Sequence, residues 1–135
     1  MSTPADVVRR LSDEVFMAGN LGALDELVSS SFVSHDPPPG VAPTRDGLRD
    51  LARMVTTAFA TRAFEYDEIV PLTDGRVVEN WAMTASHVGE LFGLPPSGQS
   101  VRVRGMEIWR CENGRIVEHW GAVDMGDVVQ KASAR

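Results

Sequence analysis

The sequence predicts an α+β domain in which helices pack on one face of an antiparallel sheet. Helical spacing of apolar residues dominates positions 4–59, whereas strand-like alternation dominates positions 63–124. Asp74-Gly75 and Asn113-Gly114 each favour a two-residue hairpin turn, because both central residues of that turn need a positive φ. A helical half followed by a four-stranded meander therefore predicts two packed layers.

The amino-terminal half predicts three helices and one short strand. Thr3 is a favoured N-cap and Pro4 suits the first helical position, so the first helix begins there and ends at Gly19. A third helix begins after a Thr44 cap, and the Asp-Pro-Pro-Pro-Gly run before it cannot form regular structure because proline removes backbone donors. The remaining predicted elements of this half are a short helix over 20–28 and a strand over 31–35.

The carboxy-terminal half predicts four strands, a long loop and a final helix. The strands cover about 63–71, 76–87, 101–111 and 115–124, the loop covers 88–100 and the helix covers 125–132. Since helices come first and strands follow as hairpins, we expect helices laid on one sheet face.

Size and composition limit the function. The 135 residues suit one domain, and the net charge of −6 argues against nucleic acid as a partner. The first ten residues include charged side chains and lack an apolar signal core, and no apolar run reaches membrane-spanning length. We therefore expect a cytoplasmic protein that does not associate with a membrane. A single cysteine, Cys111, excludes an internal disulfide and fits that compartment.

A two-residue turn at Asn113-Gly114 predicts the pairing of the last two strands. It places Trp109 opposite Glu118, Glu107 opposite Trp120, and Val103 opposite Asp124. Carboxylates and indoles that share one face suit neither a surface nor a packed core. This face therefore predicts the lining of a ligand cavity.

The same argument at Asp74-Gly75 predicts a second aromatic face. Tyr66 lies beside Met83, and Glu68 beside Trp81, in that register. We assign both aromatic faces to the helix side of the sheet. The predicted helix-side residues are Phe64, Tyr66, Trp81, Met83, His87, Val103, Glu107, Trp109, Trp120 and Asp124.

The opposite face of the sheet is partly apolar. Val78, Met106 and Ile108 lie there, and His119 points the same way by strand parity. A half-apolar exposed sheet predicts a homodimer formed through this outer face.

Asp124 is the candidate base of the cavity, and His87 lies at the same predicted end. A carboxylate among indoles loses hydration, which suits it to take a carbon-bound proton and return it. Asp124 also suits the N-cap of the last helix, so both roles stay open. Glu107 either polarises a substrate oxygen or pairs with an arginine. His35 either serves as a second acid–base group beside the proline run or caps the turn.

The aromatic residues predict a hydrophobic ligand. The candidate substrate-binding residues are Trp120, Trp81, Trp109, Tyr66, Met83 and Phe92. Phe92 belongs to the 88–100 loop, which is either a lid or a dimer contact. No metal is expected, because the three histidines lie on separate elements and lack metal-ligand spacing.

Four segments carry a family resemblance over roughly residues 5–130. They are His-Asp-Pro-Pro-Pro-Gly (35–40), Ser-His-Val-Gly-Glu-Leu-Phe-Gly-Leu-Pro-Pro-Ser-Gly (86–98), Arg-Gly-Met-Glu-Ile-Trp-Arg (104–110) and Gly-Arg-Ile-Val-Glu-His-Trp (114–120). With Asp124 they resemble the SnoaL-like polyketide cyclases, which have the cone-shaped nuclear transport factor 2-like fold. The resemblance implies an intramolecular aldol condensation without metal or organic cofactor, and Asp124 as the acid–base residue. Glu107 departs from the family pattern, where a histidine is frequent.

Two hypotheses of different classes follow. The first is a cofactor-independent enzyme that uses enolate chemistry on a hydrophobic carbonyl compound, such as a polyketide, by aldol cyclisation or a related isomerisation or dehydration. The alternative is a non-catalytic module that binds a hydrophobic small molecule or serves dimerisation. A hydroxylase-type relative without a cofactor is a third reading.

Overall fold

Helices cover one face of a five-stranded mixed sheet in the computed structural model, which describes residues 2–133. The helices are α1 (Pro4–Arg10), α2 (Leu24–Leu27), α3 (Arg45–Ala58) and α4 (Gly126–Ser133). A π-helix (Leu11–Met17) continues α1, and a 3-10 turn (Leu21–Ala23) precedes α2. The strands are β1 (Val28–Ser34), β2 (Phe59–Pro71), β3 (Arg76–His87), β4 (Ser100–Glu112) and β5 (Arg115–Asp124). The predicted α+β class is confirmed.

The sheet has the order β1-β5-β4-β3-β2, in which β1 runs parallel to β5 and the other neighbours are antiparallel. Strand β4 is central, and its residues alternate between buried and less buried positions along almost its whole length. The buried positions form the inner face, against which the helices pack. Among residues 2–133, no helix has both the length and the apolar character that crossing a bilayer requires.

The two predicted N-caps are present. Thr3 Oγ1 accepts a hydrogen bond from the Asp6 backbone N–H at 3.1 Å, and the Thr3 N–H donates to the Asp6 carboxylate at 3.0 Å. This reciprocal capping box fixes the start of α1. Thr44 likewise accepts from the Gly47 N–H at the start of α3. The widening of the first helix into a π-helix was not predicted, because it leaves no distinct signal in the apolar spacing.

Strands β3 and β4 pair in the register that places their predicted inner residues on one face of the sheet. Trp81 lies opposite Gly105, Met83 opposite Val103, and Glu79 opposite Glu107. The side chains of each pair point to one side of the sheet. The expectation that the inner residues of both hairpins share one face is therefore confirmed for these two strands.

A β-bulge in β5 makes the predicted pairing of the last hairpin wrong beyond its first two pairs. Asn113 and Gly114 have φ of 51° and 78°, as the turn requires, and Cys111 pairs with Ile116. The next pair, however, joins Arg110 to Glu118, so Val117 is an extra residue. The side chains of β5 beyond Val117 therefore lie on the face opposite to the predicted one.

The bulge places three side chains on the sheet face opposite to the predicted one. Trp109 lies opposite His119, so His119 points inward. Ile108 lies opposite Trp120 and Arg104 opposite Asp124, so Trp120 and Asp124 belong to the outer face.

The first hairpin also differs from the prediction by one residue. Its loop contains three residues, 73–75, because the Leu72 N–H donates to the Arg76 carbonyl and closes the turn there. Tyr66 consequently lies opposite Ala82 and belongs to the outer face. A second irregularity between Phe64 and Tyr66 returns Phe64 to the inner face, beside Met83.

The inner face and the helices enclose two clusters of buried apolar side chains. In the first, Val8, Leu11 and Leu24 from the helical layer pack with Val77 and Ile116 from the sheet. In the second, side chains from β3 and β4 pack with the 88–100 loop and α4; its members include Phe59, Met83, Leu91, Val101 and Val128. Burial of this apolar surface joins the two layers.

The outer face keeps the partly apolar character expected from the sequence. Met106 and Val70 are 46% and 47% exposed there. The homodimer through this face stays a prediction.

Arg62 joins the ends of two helices. Its guanidinium donates to the carbonyls of Phe16 and Met17 at 2.9 and 2.7 Å, at the end of the π-helix. It also donates to the carbonyls of Thr56 and Phe59 at 3.2 and 2.6 Å, at the end of α3. One side chain thus satisfies four carbonyls that lack helical partners.

We expect Arg62→Met to lower the free energy of unfolding by about 2–4 kcal/mol, because part-buried carbonyls lose charged donors while the aliphatic stem is kept. Urea unfolding measures the loss. The matched control is Arg53→Met on exposed α3 surface, where a change within about 0.5 kcal/mol is expected. Equal effects of the two substitutions would contradict the role assigned to Arg62.

Candidate active site

A cavity of about 510 Å³ lies between the helical layer and the inner face of the sheet. Its walls are mainly apolar and come from both layers. They include Phe16, Phe32, Leu48, Leu51, Val55, Phe59, Phe64, Met83, Leu91, Phe92, Val103 and Met125. A volume of this size and character suits a small hydrophobic molecule.

Two carboxyl groups and two indoles contribute to the polar part of the cavity wall. Glu79 on β3 and Glu107 on β4 are directly opposite each other and point inward. The Trp81 indole N–H donates to Glu107 Oε2 at 2.8 Å, and the Trp109 indole N–H donates to Glu79 Oε1 at 3.0 Å. Each indole thus holds the carboxyl group of the neighbouring strand, as diagonal cross-strand neighbours can.

Two glycines provide the space for this arrangement. The Trp81 indole lies directly over Gly105, where an added Cβ would come within 2.6 Å of the ring. An added Cβ on Gly121 would overlap Glu107 Oε1. The backbone at Gly121 therefore permits the position of the Glu107 carboxylate.

His119 and Glu107 form a buried hydrogen-bonded pair. His119 Nε2 lies 2.8 Å from Glu107 Oε1, and His119 Nδ1 lies 3.0 Å from Ser34 Oγ. The imidazole ring also packs on the Trp109 indole, with 4.3 Å between centroids. With Glu107 ionised, Nε2–H donates to the carboxylate, and the Nδ1 lone pair accepts the Ser34 hydroxyl. In a neutral imidazole this arrangement fixes the tautomer, with the lone pair on Nδ1, and both His119 and Ser34 line the cavity.

Glu79 lies in a different environment from that of Glu107. It is 3% exposed, and its Oε2 lies 2.5 Å from Ser12 Oγ. Burial, reinforced by the neighbouring Asp67 carboxyl, raises the pKa of Glu79 to about 9. Burial also raises the pKa of Asp67. The pair of carboxyls therefore keeps a proton at neutral pH.

The proline run and the 88–100 loop also contribute to the cavity wall. Asp36 lines the cavity, and its Oδ2 accepts the Gly121 N–H at 2.9 Å, which ties the run to β5. Pro37, Pro38 and Pro39 line the same side. The loop is closed by reciprocal backbone bonds between Leu91 and Leu94 and contributes Phe92 to the wall.

The structure brings together only part of the predicted site. Glu107, Trp81, Trp109, Met83 and Phe92 line the cavity.

Asp124 lies outside this cavity, contrary to its predicted place. Its Oδ1 accepts the Gly126 N–H at 2.8 Å at the start of α4, and its carboxylate lines a separate polar hollow with Arg102, Arg104 and Asp127. The one-residue bulge is the physical reason, since it reverses the direction of every later side chain in β5.

Trp120, His35 and Tyr66 also lie away from the cavity. The rings of His35 and Trp120 stack with 4.9 Å between centroids, and His35 Nε2 lies 2.6 Å from Glu118 Oε2. Tyr66 belongs to the outer face because of the three-residue loop in the first hairpin.

His87 points inward as predicted but is packed below the cavity wall. It is fully buried, and its ring lies 5.5 Å from that of Phe59. Neither ring nitrogen has a hydrogen-bond partner among residues 2–133. The expected meeting of His87 with Asp124 does not occur, because Asp124 is on the other face.

Sequence reasoning missed His119, Ser34, Ser12 and the role of Glu79. Glu79 has the same strand parity as Trp81, and this signal was sufficient to place it on the cavity wall. His119 had no such signal, since the bulge that turns it inward has no distinct residue pattern. Within residues 2–133, no group of three or more His, Cys, Asp or Glu side chains is arranged to hold a metal ion.

Comparison with known proteins identifies a family and a fold. The family model described as SnoaL-like polyketide cyclase matches residues 6–131. IdmH, a candidate polyketide cyclase from Streptomyces antibioticus, is 28% identical, with 96% of this chain and 98% of that chain covered and a TM-score of 0.79. No curated protein matches the chain significantly.

Two further solved structures share the fold. A candidate SnoaL-like polyketide cyclase from Jannaschia sp. CCS1 is 23% identical, with 98% of this chain and 92% of that chain covered and a TM-score of 0.83. AclR, a candidate hydroxylase from Streptomyces galilaeus, is 23% identical, with 98% and 96% covered and a TM-score of 0.79. One architecture thus carries proteins named for different reactions.

We expect Gly121→Ala to break the bond between Glu107 and His119, because the new methyl group occupies the position of Glu107 Oε1. Side-chain ¹⁵N NMR of His119 measures the loss as a change in the Nε2 resonance. Gly22→Ala is the matched control, since a Cβ there finds only an ordinary contact at 3.5 Å. An unchanged His119 spectrum in Gly121→Ala would contradict the proposed crowding.

We expect the stability of the protein to fall as pH rises between about 5 and 8. The pKa of Glu79 is raised from 4.5 to about 9 on folding, so the native state holds more protons than the unfolded state in that window. In Glu79→Gln we expect the free energy of unfolding to decline less steeply with pH, by up to about 1.4 kcal/mol per pH unit. Urea unfolding at pH 5, 6.5 and 8 measures it. Glu68→Gln, on the outer face of β2, serves as control, and a wild-type slope in Glu79→Gln would refute the assignment.

Proposed function

Because the chain belongs to the SnoaL-like polyketide cyclase family, which supports a cyclase-type enzyme in general, we propose that it closes a ring in a hydrophobic carbonyl compound through an enolate. The observation that carries the proposal is the hydrogen-bonded His119–Glu107 pair on the wall of an apolar cavity. His119 acts as the base, and Glu107 orients it.

The geometry around His119 supports this role. Glu107 accepts both the His119 Nε2–H and the Trp81 indole N–H, so the carboxylate is held in place and stabilises the imidazolium that forms when Nδ1 takes a proton. Nδ1 is bonded to Ser34 Oγ, which also lines the cavity. A substrate C–H bond directed at Nδ1 replaces that hydroxyl and transfers its proton there.

The apolar wall supports both the substrate class and the chemistry. Phe16, Phe64 and Val103 provide surface for a hydrophobic skeleton, while Glu79, Glu107 and His119 add polar groups on the sheet side of the cavity. In a cavity of low polarity, charges that develop on an enolate oxygen and on an imidazolium interact strongly with fixed dipoles such as the indole N–H groups.

A non-catalytic binding module is the second candidate. One observation favours it: both oxygens of Glu107 and both ring nitrogens of His119 have partners within the protein. A closed network of this kind also serves only to shape a pocket. In such a module the same cavity holds a hydrophobic molecule without changing it.

Solvent deuterium exchange at the α-carbons of 2-tetralone, followed by proton NMR, separates the two candidates. We expect the wild type to accelerate exchange over buffer, and His119→Gln and Glu107→Gln each to reduce the enzymatic rate by about 10²-fold, the lower range for general base catalysis. The probe is a bicyclic hydrophobic ketone whose exchange requires only removal and return of a proton.

Two variants on the outer face control for general effects. Glu118→Gln alters the residue next to His119, and Asp124→Asn removes the base predicted from the sequence while keeping a capping side chain. Both are expected to retain wild-type exchange. Tight binding of 2-tetralone with no acceleration in the wild type would favour the binding module, and loss of exchange in Asp124→Asn would restore Asp124 as the base.

A further inference from the structure

A row of polar and titratable side chains crosses the inner face of the sheet. It runs from His119 on β5 through Glu107 on β4 and Glu79 on β3 to Asp67 on β2. Its first half forms the base described above. Its second half, Asp67 and Glu79, has no part in that role, yet Glu79 lines the same cavity.

Asp67, on β2, lies opposite Trp81 and diagonal to Glu79 across the two strands, and it does not line the cavity. The two carboxyls are close enough for each to influence the proton of the other. Both Asp67 oxygens are buried, and neither makes a well-formed hydrogen bond to any residue that the structure describes. Two adjacent buried carboxyls repel each other when both are ionised, so in the resting protein the pair holds one proton.

The charged groups nearby do not remove the need for a proton on the Asp67–Glu79 pair. Arg9 and Asp13, on the helical layer, act on Asp67 with opposite signs. On the cavity side the neighbouring titratable groups are Glu107 and His119, which are bonded to each other. In the described part of the chain, no arginine or lysine forms an ion pair with Glu79 at 4 Å or less.

Ser12 connects the pair to the cavity. Its hydroxyl is bonded to Glu79 Oε2 at 2.5 Å and also lines the cavity. A proton on Glu79 Oε2 points at Ser12 Oγ, and the hydroxyl hydrogen of Ser12 is then free to turn into the cavity. The π-helix carries Ser12, so the unusual helical geometry supplies this contact.

We propose that the Asp67–Glu79 pair is the proton donor of the cavity, which supplies its shared proton through Glu79 or the Ser12 hydroxyl to the carbonyl oxygen of the substrate. This inference rests on the proposed function, for which it names the acid that complements the base. Glu79 is the donor that faces the substrate, and Asp67 is a positioning residue that keeps the proton on the pair.

The proton balance closes over the ring-forming reaction. His119 Nδ1 takes the α-proton, the C–H electron pair becomes the C=C bond of the enol, and the carbonyl oxygen takes the proton of the pair. The enol carbon then attacks the second carbonyl, whose oxygen takes the proton from His119. The enol O–H proton returns to the pair, so both groups regain their starting states.

Indole NMR of the ligand-free protein tests the shared proton without a substrate. The N–H of Trp109 donates to Glu79 and that of Trp81 donates to Glu107, whereas Trp120 lies on the outer face. We expect the Trp109 resonance to titrate with an alkaline midpoint, near pH 9, and Trp120 to show no such transition.

Three variants test whether the pH transition of the Trp109 resonance reports the proton on Glu79. Glu79→Gln abolishes it, Asp67→Asn moves its midpoint to lower pH because a carboxyl neighbour is lost, and Glu68→Gln leaves it unchanged. A Trp109 midpoint near pH 4, or an unchanged midpoint in Asp67→Asn, overturns the shared proton and the proposal with it.

The exchange of 2-tetralone tests the donor role. At pH 7 we expect Asp67→Asn and Glu79→Gln to reduce the enzymatic rate by about tenfold or more, and Glu79→Gln to remove the decline in rate that the wild type shows above about pH 9. If the wild type exchanges through His119 while both variants keep its rate and pH profile, the donor role is refuted and the proposed function stands. If the wild type fails to accelerate exchange, the proposed function fails and the donor role falls with it, even where the indole titration shows a retained proton.

Discussion

The chemistry of the cavity depends on one extra residue in β5. The bulge at Val117 lies three residues after the turn, and it turns His119 towards Glu107 while it sends Asp124 to the outer face. Without the bulge the same strand would present Trp120 to the cavity and leave His119 outside. A local change in backbone pairing thus decides which side chains of β5 face the cavity, because strand side chains alternate between faces.

The two carboxyls of the cavity wall, Glu79 and Glu107, lie in different environments on one sheet. Glu107 accepts hydrogen bonds from the Trp81 indole and from His119. Glu79 is deeply buried beside Asp67, and this environment holds a proton. A carboxyl that retains its proton, next to a hydrogen-bonded carboxylate–imidazole pair, is the arrangement that the proposed proton transfer requires. The crossed indole bonds keep both carboxyls in place for such transfer.

The surrounding fold stabilises a polar row that is unfavourable by itself. Apolar packing between the helical layer and the sheet, and the four carbonyl contacts of Arg62, hold the layers together around it. The glycines at 105 and 121 then give the indole of Trp81 and the carboxylate of Glu107 the space they occupy. Proteins of this architecture are named for different reactions, so the fold alone does not decide the reaction.

The sequence by itself determined the fold class, the order of nearly all elements, the two N-caps and the common inner face of β3 and β4. These features depend on local signals: apolar periodicity, capping residues and turn dipeptides. It also placed Glu107, Trp81 and Trp109 correctly, because their strands pair without interruption. Only the tertiary structure decided the positions of Tyr66, His119, Trp120 and Asp124. A bulge and a three-residue loop each shift the register by one residue, and their energies depend on packing across the sheet rather than on the residues of the turn.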